Sequence, residues 1–359
     1  MRKFIKRGLL VLNLLFAASL LISYLSVHIS PEVIALPALF GLAYPYLLLI
    51  NILFALTWAI LLKYEALISV AAIAIGITHL SNFIKISKPA GSKKDTIKVM
   101  SYNVRLFNNY ENPNSSSEKK VIAFLKAQKP DIICLQEFYV NGSPYEKEMA
   151  MKEGLGGRYY SHSRLIGSGR NRYYGIITFS RFPIVTKGTI KHPGSSSLSI
   201  FSDIVIGTDT IRIFNNHLQS FRLKKMERSF LEELTDPADK EAITSMKNLS
   251  LSLAKAFRSR AHQANVLKDA IDKSPYPVIV AGDFNDTPVS YSYRKIRKGL
   301  KDSFVHSGYG AGFTYRGNYP ANRIDYILYN GSLESRYFEI TKVKFSDHYP
   351  VSAWFRRPD

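Results

Sequence analysis

The chain has 359 residues, of which 46% are hydrophobic and 21% are charged, and its 48 lysines and arginines outnumber its 28 acidic residues to give a formal net charge of +20. The length suits two domains or one large domain with an appendage, the composition excludes collagen and wholesale disorder, and the single cysteine, Cys134, excludes an intrachain disulfide and a cysteine-rich zinc site. The basic excess favours anionic partners, namely nucleic acid, acidic lipid or a phosphorylated substrate, without choosing among them.

The first 84 residues contain three long runs without a lysine, arginine, aspartate or glutamate. A helix needs roughly 20 apolar residues to cross the hydrocarbon core of a bilayer. We therefore expect about three transmembrane helices, followed by a polar linker at residues 85–95 and a second domain at residues 96–359. The expected helices cover residues 8–29, 43–62 and 66–84.

Two of these runs have alternative interpretations. The first run follows a basic stretch, Arg2–Arg7, which is also the layout of a cleaved signal peptide. It is longer than a typical signal-peptide core, however, and more apolar sequence follows it. The third run is weakened by His79, Ser81 and Asn82, so a buried or surface helix stays open as an alternative.

The distribution of positive charge predicts which side of the membrane each part occupies. Basic residues precede the first run, and the loop at residues 28–45 has no lysine or arginine, so the positive-inside rule places the N-terminus in the cytoplasm. Three crossings then give a multi-pass protein of the cell membrane whose second domain lies outside the cytoplasm. The lysines that follow the third run, from Lys85 to Lys94, would prefer the inside. If that run does not span, the second domain is cytoplasmic.

From Thr96 onward, short β-rich runs alternate with turn signals and a few amphipathic helices. Strands outnumber helices and helices do not follow every strand, so the pattern predicts an α+β fold of two sheets packed face to face with helices outside. The predicted strands are Ile97–Val104, Asp131–Gln136, Tyr174–Ser180, Leu198–Ile206, Thr210–Asn216, Pro277–Ala281, Ile324–Tyr329, Glu339–Lys344 and Val351–Phe355. The predicted helices are Ser117–Gln128, Leu223–Leu234 and Asp239–Lys273.

Polar side chains recur where the apolar strands end. A lone Asp or Asn in such a place usually caps a turn, which is the expected job of Asp286, and a lone His is more often structural than catalytic. If the strands share a sheet, however, their ends converge on one rim, and clustered carboxylates repel one another unless a cation joins them or some are protonated. Oxygen-rich clusters suit Mg²⁺ or Mn²⁺. The residues at strand ends are Asn103, Gln136, Glu137, Asn216, His217, Asp283, Asn285, Asp286, Asp325, Asp347 and His348.

The motifs around these residues are SYNVR, LQEF, NNHLQS, GDFND, RIDY and SDHYP, in that order. Together they resemble the endonuclease/exonuclease/phosphatase superfamily over Ile97–Phe355, nearly the whole second domain. The resemblance implies a four-layer α/β/β/α sandwich, preceded here by the N-terminal helical transmembrane region. It also implies divalent-metal-dependent cleavage of a phosphoester.

The resemblance further implies a metal site built on three of these residues. Glu137 resembles the principal metal ligand, Asn103 the amide that orients the metal shell, and Asp347 a metal-site acid. We expect Mg²⁺ or Mn²⁺ at this site. Whether one metal or two are bound stays open.

The remaining motif residues resemble catalytic groups. Asp283 and Asn285 resemble the pair that orients the attacking water and grips the phosphoryl group, and His217 resembles a histidine that helps the leaving group. His348 resembles the imidazole that contacts the phosphate, and Asp325 the carboxylate that orients it. An Asp–His hydrogen bond of this kind fixes the tautomer and raises the basicity of the imidazole. The identity of the general base stays open, because an Asp and a His both belong to the group.

These observations predict a membrane-anchored phosphoesterase that hydrolyses a phosphodiester or phosphomonoester by in-line attack of water. Its expected partners are the membrane and a phosphoester substrate, either a lipid head group, a nucleotide or a nucleic acid. Two alternatives stay open: a nuclease that acts on DNA or RNA from the cytoplasmic face, and a catalytically silent membrane binding protein of the same fold. The basic clusters Arg222–Arg228, Arg258–Arg260 and Arg294–Lys301 are typical of solvated helix faces, although together they would suit a nucleic-acid backbone or an anionic bilayer.

Overall fold

The computed structural model describes residues 2–88, 91–108, 116–167, 169–193, 195, 197–221, 240–317 and 322–356. These residues form two compact units, which we call the helical unit and the sandwich unit. The helical unit contains Met1–Ser81, Gln219–Ala264 and Asp286–Lys295, and the sandwich unit contains Asn82–Leu218, Asn265–Asn285 and Ile296–Asp359. Two segments from the second half of the sequence therefore group with the N-terminal helices. The predicted helix Leu223–Leu234 and the basic cluster Arg222–Arg228 lie outside the described residues.

The first apolar run forms one long helix, and the later runs form shorter ones. The helix Lys3–Leu25 is long and apolar enough to cross a membrane. The helices Leu36–Leu42 and Tyr44–Ile60, which meet at an angle of 68°, reach that length and hydropathy only if they are taken together as one broken span. The third run breaks at Gly76, and its longer piece has 10 residues, or about 15 Å, half of a hydrocarbon core. Three separate spans are therefore not found among the described helices. The helices are α1 (Arg2–Leu25), α2 (Leu36–Leu42), α3 (Tyr44–Ile60), α4 (Ala66–Ile75) and α5 (Ile77–Leu80).

A buried polar network joins α1, α3 and α4. The Asn13 amide donates to the hydroxyl of Ser69 at 2.6 Å, and that hydroxyl donates to Oδ1 of Asn51 at 3.0 Å. The indole N–H of Trp58 donates to Oδ1 of Asn13 at 3.0 Å. Polar groups buried among apolar helices are costly unless paired, so these mutual hydrogen bonds fix how the three helices pack.

The sandwich unit is built on two six-stranded mixed sheets, with strand orders β13-β14-β2-β3-β5-β4 and β10-β12-β9-β8-β7-β6. In the first sheet β2 and β3 are parallel, and in the second β8 and β9 are parallel. The strands are β1 (Ile84–Lys85), β2 (Thr96–Asn103), β3 (Ile132–Asn141), β4 (Tyr160–Gly167), β5 (Arg172–Ser180), β6 (Ile184–Ile190), β7 (Leu198–Ile206), β8 (Asp209–His217), β9 (Val278–Asp283), β10 (Lys301–Asp302), β11 (Gly310–Ala311), β12 (Asp325–Tyr329), β13 (Ser335–Ile340) and β14 (Val351–Arg356). The later helices are α6 (Ser117–Gln128), α7 (Pro144–Gly154), α8 (Lys240–Asp272), α9 (Tyr291–Arg297) and α10 (Ser303–Ser307).

Alternate residues of β2 belong to different cores, as the two-residue period of a strand requires. Val99 lies in a cluster with Ile213 and Ile279 of the other sheet, whereas its neighbour Met100 lies in a cluster with Val121 of α6. Both faces of this strand are therefore buried, one against a sheet and one against a helix. The predicted sandwich of two sheets flanked by helices is confirmed.

Gly282 lies where the backbones of β8 and β9 approach each other closely. Its φ is +141°, and a Cβ at this position would overlap the backbone carbonyl of Asn216. We expect Gly282→Ala to lower the free energy of unfolding by about 3 kcal/mol, because both backbone strain and overpacking are introduced. Gly207→Ala is the matched control, since φ there is +63° and nothing lies near the added methyl. Thermal unfolding of the two variants should separate them, and an equal loss in both would contradict the proposed close approach.

Candidate active site

The site lies where strands of both sheets end. Because β2 runs parallel to β3 and β8 runs parallel to β9, the carboxyl ends of each pair fall at the same edge. Asn103 ends β2, and His217 and Asp283 end β8 and β9 in register with each other. Asp325 begins β12 directly opposite Asp283 in an antiparallel pair. The sequence places polar residues at these ends, and the sheet register brings them together.

Glu137 reaches the site through an irregularity in β3. The register with β5 shifts between Leu135 and Phe138, and Glu137 has a φ of +50°. A bulge of this kind bends the strand and re-aims a side chain, and a non-glycine residue at positive φ stores strain. The Glu137 side chain remains 29% exposed and hence open to a ligand.

The GDFND motif forms a compact turn around a buried carboxylate. Asp283 is fully buried, and its two oxygens accept hydrogen bonds from the backbone N–H of Asn285 at 2.8 Å and from the Asn285 amide at 3.1 Å. The same amide donates to the carbonyl of Leu218 at 2.9 Å. Asn285 itself has a φ of +52°, so this turn is held in a conformation that an unsupported asparagine adopts infrequently.

Asn103 connects the two sheets. Its amide nitrogen donates to Oδ2 of Asp283 at 3.0 Å and lies 3.3 Å from Oε1 of Glu137. Its amide oxygen accepts the backbone N–H of Arg105 at 3.0 Å. In this arrangement Asn103 presents donors, not its oxygen, to the two carboxylates. This suits the orienting role better than direct ligation of a cation.

His217 stands beside the same two carboxylates. Its Nε2 lies 3.5 Å from Glu137 Oε1 and 3.8 Å from Asp283 Oδ2. That nitrogen is buried and has no hydrogen-bond partner among the described residues. A buried polar atom left without a partner costs free energy unless something else occupies the site, so this nitrogen points to a ligand position.

His348 and Asp325 form a buried hydrogen-bonded pair. Nδ1 of His348 lies 2.9 Å from Oδ2 of Asp325, and the backbone N–H of Asp325 donates to the Thr314 hydroxyl at 3.1 Å. Burial opposes a charge on the imidazole, but the carboxylates of Asp325 and Asp283 outweigh it and raise the pKa of His348 to about 10. The Nε2 atom, 3.8 Å from Asp283, is thus held as a cationic donor at neutral pH.

Burial also shifts the acid at the centre of the site. It raises the pKa of Asp283 to about 6, with the Asp325 carboxylate acting in the same direction and the imidazoles of His348 and His217 acting against it. A carboxyl with a pKa in this range is still mostly ionised at pH 7 but is a much better proton acceptor than an ordinary aspartate.

The SDHYP loop is tied to β2 through a serine. The Ser346 hydroxyl donates to the carbonyl of Asn103 at 2.8 Å and lies 3.2 Å from Oδ1 of Asp347. Nε of Arg105 lies 3.4 Å from the other oxygen of Asp347. Sequence reasoning did not single out Ser346 or Arg105, although both stand inside the motifs, because their partners lie in distant parts of the chain.

Two groups of residues offer ligand atoms for a cation. Asp283, Asp325 and His348 bring such atoms within 4.8 Å of one another, but all three are buried and two are hydrogen-bonded together. Glu137 and Asp347 keep carboxylates that are 29% and 19% exposed. Carboxylate oxygens are the donors that Mg²⁺ or Mn²⁺ prefers, so each of these two exposed side chains offers suitable ligand atoms.

Every residue predicted to bind the metal or to act in catalysis lies in this site. Asp286, which was predicted to cap a turn, has a further contact. Its Oδ1 does accept the backbone N–H of Thr287 at 3.2 Å, but its Oδ2 pairs with the buried Arg260 of α8 at 3.1 Å. A hydrogen bond between buried side chains also joins the two sheets. The amide of Gln136 in β3 donates to Oδ1 of Asn215 in β8 at 2.8 Å.

Comparison with solved structures shows that the fold is a known one. A protein from Leptotrichia buccalis described as an endonuclease/exonuclease/phosphatase family protein has a TM-score of 0.50 and 17% identity, covering 72% of this chain and 98% of its own. One from Bacteroides vulgatus, an endonuclease/exonuclease/phosphatase, has a TM-score of 0.50 and 18% identity over 74% of this chain and 100% of its own. A humanized D. rerio TDP2 has a TM-score of 0.51 and 15% identity over 73% and 99%. At these identities the likeness concerns the fold alone.

Two family models match separate parts of the chain. A model described as a domain of unknown function (DUF8431) matches residues 2–83. No curated protein matches the chain. The model of the Endonuclease/Exonuclease/phosphatase family matches residues 100–348, more than half of the chain and all of the site described above. The chain belongs to the endonuclease/exonuclease/phosphatase family.

Proposed function

We propose that the chain is a membrane-anchored, divalent-metal-dependent phosphoesterase that cleaves a phosphoester by in-line attack of water. Members of the family are hydrolases that act on phosphoesters. The observation that carries the proposal is the meeting of Asn103, His217 and the Asp325–His348 pair around the buried carboxylate of Asp283. A binding protein without catalytic activity has no need to maintain a buried acid with a raised pKa between two imidazoles.

Each residue has a role that follows from its surroundings. Asp283, whose pKa is raised to about 6, accepts a hydrogen bond from the attacking water and takes its proton. The imidazolium of His348, held by Asp325, donates to the phosphoryl oxygens as negative charge develops on them. Asn285 and Asn103 orient Asp283, and His217 helps the leaving group to depart. A cation on Glu137 and Asp347, when bound, supplies Lewis-acid polarisation of a phosphoryl oxygen.

The contacts of the helical unit support an anchor with its two ends on opposite sides of a bilayer. Near the start of α1, Nζ of Lys6 lies 2.7 Å from a carboxylate oxygen of Glu65. Beyond the other end of α1, the Ser26 hydroxyl donates to the carbonyl of Val289 at 2.8 Å. With 24 residues α1 is about 36 Å long, more than the roughly 30 Å hydrocarbon core. Many of its apolar side chains are exposed, as lipid contact requires.

These contacts bear on the side of the membrane that the site occupies. The positive-inside rule puts the Lys6 end in the cytoplasm, so Val289 belongs to the outer end. Because Val289 follows Asn285 by four residues, we propose that the catalytic motif lies outside the cytoplasm, even though α4 alone is too short to span. The return of the chain would then use α4 and α5 together, where the Tyr24 hydroxyl donates to the carbonyl of Ala72 at 3.0 Å.

An outer location favours a phosphoester found at or outside the membrane. We propose a lipid head group or an extracellular nucleotide or nucleic acid as the substrate class. Arg260, a member of the basic cluster Arg258–Arg260, is fully buried and is therefore not available to such a substrate. Arg294 remains exposed and suits an anionic surface.

The first test is metal dependence on a panel of phosphodiesters and phosphomonoesters, including phospholipids, sphingomyelin, inositol phosphates, nucleotides, DNA and RNA, with the full chain in detergent. We expect a chelator to abolish turnover and Mg²⁺ or Mn²⁺ to restore it. Glu137→Gln should raise the metal concentration needed for half-maximal rate, with partial rescue at high metal. The control is Glu339→Gln, which removes a surface carboxylate paired with Lys93. Full activity in excess chelator would contradict the mechanism.

The second test concerns the buried acid. We expect Asp283→Asn to lower kcat by about 10²–10⁴-fold while KM changes little, because the amide still fits the turn but no longer takes a proton. Asp209→Asn, at an exposed position at the start of β8, is the control and should leave kcat unchanged. A rate near that of the wild type for Asp283→Asn would remove this residue from catalysis. A wild-type chain that cleaves nothing on the panel would instead favour the silent binding protein.

The third test is topology. A reporter enzyme that folds only outside the cytoplasm, fused after Asp359, should be active, and the same reporter fused after Lys63 should be inactive. The reason is that the first fusion point follows the return of the chain to the Val289 end, whereas Lys63 adjoins Glu65 at the Lys6 end. An inactive reporter after Asp359 would place the site in the cytoplasm and favour a nuclease acting on DNA or RNA there.

A further inference from the structure

Arg260 is a buried cation of the helical unit. Its side chain is 0% exposed, and its guanidinium carbon lies 4.3 Å from the ring centre of Phe221 and 5.0 Å from that of Phe257. Burying a guanidinium is unfavourable unless it is paired and hydrogen-bonded, and an apolar residue would fill this place without that cost.

Among the described residues, Arg260 has polar partners in two separate segments. Nε donates to Oδ2 of Asp286 at 3.1 Å, and Nη1 donates to the carbonyl of Gln219 at 2.8 Å. One turn further along α8, Oε1 of Gln263 accepts the backbone N–H of Gln219 at 3.0 Å. Helix α8 therefore holds the backbone of Gln219 at both its carbonyl and its N–H, and holds the Asp286 carboxylate with the same guanidinium.

Both partners stand directly beyond site residues in the sequence. Gln219 follows His217 by two residues, and Asp286 is bonded to Asn285. Between them the segments are already joined, because the N–H of Leu218 donates to the carbonyl of Asp283 at 3.0 Å. Arg260 thus connects the next residue along each of the two segments that carry His217, Asp283 and Asn285.

Asn285 has a backbone conformation that needs such support. Its φ of +52° is unfavourable for a residue with a Cβ, and it persists only where neighbouring contacts hold it. A planar guanidinium reaches two acceptors in a fixed geometry, whereas a lysine offers a single flexible point charge. The pairing therefore suits the fixing of one segment relative to another better than it suits simple stabilisation.

We propose that Arg260 is a positioning residue for the phosphoesterase site, acting through Asp286 and Gln219 to set the relative placement of His217 and the Asp283–Asn285 turn. The inference rests on the proposed function only for its kinetic consequence. Arg260 touches neither substrate nor cation in this role. Its loss displaces the two motif segments relative to each other.

The test uses the full chain in detergent with Arg260→Lys and Asp286→Asn, singly and combined. We expect each single variant to lower kcat by about 10–100-fold, with KM and the half-saturating metal concentration changed less than threefold. The double variant should be no worse than the poorer single variant, because both remove one interaction. Asp286→Asn is the milder change and keeps the oxygen that accepts the Thr287 N–H, so it covers the case in which Arg260→Lys does not fold.

The matched control is Asp203→Asn, which breaks a buried pair of comparable geometry, 2.6 Å from Arg212 Nε, in the middle of β7 and β8. It should lower the melting temperature but leave kcat unchanged. Hydrogen exchange gives a readout that is independent of catalysis: amides of residues 217–219 and 283–287 should exchange faster together in the Arg260 and Asp286 variants and stay protected in the control. Unchanged exchange, or a kcat within threefold of the wild type, would overturn the proposal. The wild-type chain could cleave no phosphoester while the Arg260 and Asp286 variants still show faster exchange. That outcome would leave the positioning role intact and contradict the proposed function alone.

Discussion

The charge on Asp283 is the constraint around which the site is built. The carboxylate is fully buried, and an unpaired buried charge would cost several kcal/mol. It accepts hydrogen bonds from Asn103 of the other sheet and from Asn285 of its own turn, and the Nε2 atoms of His217 and His348 each lie 3.8 Å from it. These groups belong to β2, β8 and the loop before β14, so the ends of strands in both sheets have to meet at one place. The close approach of β8 and β9 at Gly282 is one consequence.

Most residues of the site could be identified from the sequence, because they follow apolar strands in short motifs. The register of the strands then brings these residues together. Among the strands of five or more residues, β4 and β6 were not predicted, and each is the outermost strand of its sheet. Edge strands carry polar and charged residues that blunt the apolar alternation, as the exposed Lys187 and Val185 in β6 illustrate. The third apolar run differs from the single predicted helix for another reason. Its composition suits one continuous helix, but Gly76 ends α4 where the Tyr24 ring occupies the space that a side chain would need.

Arg260 shows where sequence patterns stop being informative. Within Arg258–Arg260 the spacing and charge are typical of a solvated helix face, and that interpretation is wrong for Arg260, which is 0% exposed. Its partners are Gln219 and Asp286, which are 41 and 26 residues away, and only the tertiary fold brings them to one guanidinium. The same limit applies to Ser346, whose contact with Asn103 spans most of the domain. A polar contact between residues that are far apart in the sequence produces no periodic pattern from which it could be predicted.

The helical unit combines the N-terminal helices with two segments from the second half of the sequence, Gln219–Ala264 and Asp286–Lys295. The segment that begins with Asp286, directly after the catalytic turn, packs against the N-terminal helices at Val289. There Ser26 donates to its carbonyl, and a Cβ at Gly41 would overlap the same oxygen. A glycine at such a contact allows two backbones to approach closely and leaves little room for adjustment. A shift of α1 and α2 would therefore act on a segment that is covalently continuous with Asn285.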